Sequence, residues 1–82
     1  MKTITYFEQK LYPPNDDGRT DESKPAHNVE VITSRYFGST QIYLMIEDVK
    51  GAKTTFHLTK EMAKSLSEGV INAHNHIGFG NT

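Results

Sequence analysis

The chain has 82 residues, nine Lys and Arg against ten Asp and Glu, a net charge of −1 and no cysteine. That length allows one domain with a thin core, burying roughly 60–65% of its unfolded surface, and the missing cysteines exclude disulfides and thiolate metal sites. Near-neutral charge disfavours both a basic domain built to neutralise phosphates and an acidic mimic of nucleic acid. No apolar run approaches the ~20 residues of a membrane span, and the N-terminal segment lacks a signal-peptide apolar core. The expectation is a single soluble domain over 1–82, located in the cytoplasm.

Segment 2–7, KTITYF, is rich in β-branched and aromatic types and predicts a first strand at a sheet edge. Simple alternation sets Ile4 and Tyr6 on one side and Thr3, Thr5 and Phe7 on the other. Segment 12–28, YPPNDDGRTDESKPAHN, carries no aliphatic residue larger than Ala26. It cannot bury enough apolar surface to offset its ordering entropy, so it reads as a long, mobile polar loop. Loops of this length often contact partners, which singles out Asp16, Asp17, Asp21 and Glu22. They do not form a calcium loop, because NDDGRTDE lacks the alternating oxygen ligands and the final glutamate of an EF-hand.

Segment 29–37, VEVITSRYF, predicts a second strand followed by a turn at Gly38-Ser39. A two-residue loop sets Thr33 opposite Leu44. A three-residue loop including Thr40 sets Ile32 opposite Ile46. The second is favoured because it buries Ile32 and Tyr36, and a one-residue slip exchanges the two faces.

The third and fourth strands are joined by Asp48-Val49-Lys50-Gly51, with Asp first and Gly last as a type I turn prefers. A loop of Val49, Lys50 and Gly51 sets Ile46 opposite Thr54, Leu44 opposite Phe56 and Ile42 opposite Leu58. The other face then pairs Glu47 with Lys53, Tyr43 with His57 and Met45 with Thr55. Turn chemistry, alternation and charge agree on this register.

A helix follows, capped by the Thr59 hydroxyl and favoured by Glu61 near its positive end. Met62, Ala63, Leu66, Val70, Ala73 and Ile77 recur at helical spacing. This stripe is expected on the Ile42, Leu44, Ile46, Phe56, Leu58 face of the hairpin. Gly69 either sits within the helix or ends it, and 78–82 reads as a flexible tail. The expected fold is α+β: a three- to four-stranded antiparallel sheet with one C-terminal helix packed on one face.

The histidines are the only residues that suggest a reactive site. His74 and His76, with His57, are weak candidates for a metal. Two positions apart on a helix they point about 200° apart and cannot share an ion, and a zinc site needs further ligands. No serine sits in a nucleophile motif, and Gly78-Phe79-Gly80 has no helix after it to hold phosphate. No metal, cofactor or enzymatic activity is expected. Arg35, Tyr36 and Lys53 with nearby aromatics suggest a stacking platform for nucleic acid, with little positive charge behind it. The outer sheet face, with Tyr43, Met45 and either Val29 and Val31 or Ile32, is the better lead. One helix covers one face only, and an open apolar face suggests a protein partner or a homodimer.

The run FHLTKEMAKSLSEGVINA resembles a strand-into-helix ending of small uncharacterised phage and bacterial proteins, with Leu58, Thr59, Glu61, Ala63 and Leu66 matching in type. It covers under a quarter of the chain. Size, single-domain build and charge are similar to those of phage accessory proteins, including inhibitors of bacterial defence such as anti-CRISPR proteins. Those families share few motifs, so no functional residue is carried over. The leading expectation is a non-enzymatic protein-interaction module of phage-accessory type that occludes a host protein complex. Its contacts would be Tyr43, Met45, Asp16, Asp17, Asp21 and Glu22. The alternatives are a nucleic-acid-associated regulator, with Arg35, Tyr36 and Lys53, and a metal-binding or small enzymatic protein using the histidines.

Overall fold

The computed structural model describes residues 3–77. Four strands, β1 (Thr3–Leu11), β2 (His27–Tyr36), β3 (Ser39–Glu47) and β4 (Lys53–Leu58), precede one helix, α1 (Lys60–Ile77). The strands form one open antiparallel sheet in the order β1-β2-β3-β4. The architecture is the α+β arrangement expected, with the full four strands. The tail 78–82 lies outside the described residues.

The β3–β4 hairpin has the register read from its turn. Ile42 pairs with Leu58, Leu44 with Phe56, Ile46 with Thr54 and Glu47 with Lys53. Asp48 organises the loop: its Oδ1 accepts the Lys50 and Ala52 N–H groups, both at 2.9 Å. Gly51 supplies the positive φ, 87°, that closes it.

The β2–β3 register corrects the sequence reading. Val29 pairs with Ile46, Val31 with Leu44 and Thr33 with Ile42, and Tyr36 pairs with Ser39. The turn is therefore Phe37-Gly38, with φ of 49° and 80°, the positive pair that a two-residue type I′ hairpin requires. Ile32 stands opposite Tyr43, not Ile46, and it shares a face with Tyr43. Val29 and Val31 join the apolar face of the hairpin.

β1 is longer than expected and carries a bulge between Thr5 and Phe7. The extra residue, Tyr6, breaks the simple alternation. Ile4 pairs with Thr33 and Phe7 with Val31, so both fall on the face that strict alternation would divide between them. Leu11 pairs with His27 and extends that face. The resulting face gathers Ile4, Phe7, Leu11, Val29, Val31, Ile42, Leu44, Ile46, Phe56 and Leu58. Residues 27 and 28 belong to β2, so the connector is 12–26. It carries its own turns, with a bridge between Pro14 and Thr20.

α1 starts where the sequence predicts. The Met62 N–H donates to Thr59 Oγ1 at 3.1 Å, and the Ala63 N–H to the Thr59 carbonyl at 2.9 Å. The helix runs unbroken through Gly69, where an added Cβ would meet nothing within 4 Å. Its placement differs from the expectation. α1 meets the sheet mainly at β4, and no residue of α1 is buried. Thr59 alone separates β4 from α1, and the helix continues outward from the strand end instead of turning back over the sheet. The molecule is consequently a slab of 46 × 33 × 15 Å. None of its described hydrophobic side chains is buried.

Candidate protein-binding face

The second face of the sheet takes its residues from the alternate positions. Tyr43, at the middle of β3, has Ile32 beside it on β2 and His57 beside it on β4. The Tyr43 and His57 rings meet edge to face, with centroids 5.7 Å apart and planes at 62°, the geometry the ring quadrupoles favour. His57 Nε2–H donates to Gln41 Oε1 at 2.8 Å, which orients the imidazole edge to face with the Tyr43 ring.

Met45 lies between Glu30 and Thr55. Ile32, Ser34, Tyr43, Met45 and Thr55 line a shallow depression of about 280 Å³. Ser34 is its floor and is 6% exposed; its hydroxyl lies 3.3 Å from that of Thr3. Around this apolar centre stand Glu8, Glu30, Gln41, Glu47, Lys53 and His57. An apolar and aromatic centre with a polar rim is the anatomy of protein-binding patches. Of the two alternatives for this face, Ile32 joins Tyr43 and Met45, and Val29 and Val31 fall on the other face.

The acidic loop supplies two kinds of residue. Asp16 and Asp17 ride an exposed turn that Asn15 holds, its Oδ1 accepting the N–H groups of Asp17 at 2.9 Å and Arg19 at 3.1 Å. Asp21 is occupied within the loop. Its carboxylate accepts the Ser23 hydroxyl and, at 3.0 Å, the Ser23 N–H, with Lys24 Nζ at 3.9 Å. The Ser23 hydroxyl first, then its N–H, hold the Asp21 carboxyl below its ordinary value; desolvation opposes them, and the Lys24 charge adds the least. Asp21 shapes the loop, while Asp16, Asp17 and Glu22 present charge to solvent. The loop leaves the sheet at the end where Asn28 pairs with Glu47, the end nearer Met45.

The residues suggested for nucleic acid are not brought together. Arg35 pairs with Thr40 and Tyr36 with Ser39, at the β2–β3 turn, whereas Lys53 pairs with Glu47 at the far end of the sheet. The histidines do not converge either. His74 and His76 lie on the continuous helix, and among the described residues no group of three His, Cys, Asp or Glu side chains is placed to hold a metal. Among those residues, too, no helix is long and apolar enough to cross a membrane.

No family model, curated protein or solved structure matches the chain.

Proposed function

We propose that this chain is a protein-interaction module without enzymatic activity of its own, and that its outer sheet face is the surface presented to a protein partner. The observation that carries the reading is the patch of Ile32, Tyr43 and Met45 around a shallow depression, ringed by charged and amide side chains. Tyr and Met are enriched at the centres of such interfaces, and the Tyr43 ring already has the His57 ring against it. Asp16, Asp17 and Glu22 add an acidic margin suited to a basic rim on the partner, where rim charges speed encounter.

The narrower reading is a phage-type accessory protein or inhibitor that occludes a host protein. It is supported by the strand-into-helix segment 56–73 and by a net charge of −1, which fits a protein-directed surface better than a nucleic-acid-directed one.

The test is affinity capture from bacterial lysate with wild type and with Tyr43→Asp/Met45→Asp, both first shown to be folded by circular dichroism. The expected result is a stoichiometric protein retained by wild type and lost with the double variant. Equal retention by both proteins would remove the outer face from the function.

A further inference from the structure

Among the described residues nothing covers the apolar face opposite that patch. Phe7, Leu11 and Phe56 are 43%, 46% and 48% exposed. On α1, Leu66 is 47% and Val70 61% exposed, and Met62, Ile71 and Ile77 are also open to solvent. The total accessible surface is 6805 Å², whereas a compact protein of 9.3 kDa exposes about 5,000 Å². The excess is about 1,800 Å² per chain.

We propose that α1 of one copy lies on the apolar sheet face of a second copy, and reciprocally, in a closed two-fold dimer. Four observations select a second copy as the occupant. First, burying the excess from two chains removes about 3,600 Å² in total, within the range of obligate homodimers and well above a transient contact. Secondly, each chain supplies one uncovered apolar face and one uncovered apolar helix stripe. A two-fold exchange therefore satisfies both and leaves neither open, whereas a different partner must match the two separately. Thirdly, the pieces agree in length. The 18-residue helix is about 27 Å long, and the nine- and ten-residue strands run about 30 Å. Fourthly, the single-residue connection at Thr59 carries α1 away from its own sheet, the disposition from which helices exchange between protomers. A net charge of −1 sets little repulsion against the association. The outer patch of Ile32, Tyr43 and Met45 stays free for another protein, so the dimer and the proposed function stand or fall separately.

The experiment uses the purified full chain with no partner present. Light scattering after gel filtration at low micromolar concentration is expected to give twice the chain mass. Unlabelled chains are then mixed with ¹³C-labelled chains through unfolding and refolding. Isotope-filtered NOE spectra are expected to show the Leu66 and Val70 methyls of one copy against the Phe7 and Phe56 rings of the other. Leu66→Lys is expected to lose the dimer mass, and Tyr43→Asp to keep it. A folded monomer overturns the proposal, whether its helix packs on its own sheet or its apolar face is covered only by added lipid vesicles or another protein. So does a dimer whose intermolecular contacts run through Tyr43 and Met45, or an assembly larger than two chains.

Discussion

Phe37 has φ of 49°, a left-handed conformation that costs an L-residue other than Gly, Asn or Asp about 1–2 kcal/mol. It precedes Gly38 in a two-residue hairpin turn for which Asn-Gly is the preferred pair. Phe37→Asn should therefore stabilise the fold by about 0.5–1 kcal/mol and raise the melting midpoint by a few degrees, measured by circular dichroism at a fixed protein concentration. An unchanged or lower midpoint would mean that the Phe37 ring contributes more than its backbone costs. Asp21 yields a pH prediction at the same scale. Its folded pKa lies below the ordinary carboxylate value. The order it lends the loop is thus present in full above that ordinary value and is lost as pH falls through the depressed folded value. In an NMR titration the Ser23 amide shift should move with a midpoint below that of an unstructured aspartate, and Asp21→Asn should remove the transition. A midpoint at the unstructured value would show that the Ser23 contacts do not persist in solution.

At the scale of elements, the contrast between the two hairpins explains what the sequence made legible. In β3–β4, Asp48 and Gly51 carry the turn chemistry, and alternation and the Glu47–Lys53 pairing repeat the same register. Three independent signals agreed, so one answer remained. In β2–β3 the turn falls on Phe37, whose side chain advertises a strand, so the three-residue loop Gly38-Ser39-Thr40 is the favoured reading, and its odd slip in register exchanges the faces of β2. The bulge at Tyr6 was invisible for a related reason: KTITYF alternates acceptably with or without an extra residue, and only the pairing with Val31 and Thr33 decides. The candidate face followed the same division. Tyr43 and Met45 could be placed from the firm hairpin, and Ile32 could not, because its face depends on the uncertain one. The helix start was legible from Thr59, whose hydroxyl accepts the Met62 N–H. Thr59→Ala should cost about 1 kcal/mol, seen as a lower melting midpoint. Thr59→Ser, which keeps the oxygen, should recover most of it. Equal loss in both variants would place the contribution in the threonine methyl group instead of the cap.

At the scale of the whole molecule, the stripe from Met62 to Ile77 shows the limit of periodicity. Spacing establishes that one helix face is apolar, but it does not say which surface covers that face, and the nearest sheet in sequence was the natural choice. In the structure none of the described hydrophobic side chains is buried, so the described residues form no single-copy core of the kind an 82-residue chain allows. If that core is assembled between two copies, folding and association are one equilibrium, and stability depends on protein concentration. Each tenfold dilution then removes about 1.4 kcal/mol per dimer, or about 3–6 °C of melting midpoint for a unit of two such chains. Thermal melts at three concentrations spanning a hundredfold should show this progression. They should show it equally for the outer-face variant Tyr43→Asp, which leaves the shared core intact. Phe56→Asp and Leu66→Asp, one on each surface of the exchange, should both place an unpaired charge in that core. The two should therefore fail alike, giving monomers without a cooperative melt. A midpoint independent of concentration in the wild type would locate the core within a single chain, with α1 folded back onto its own sheet.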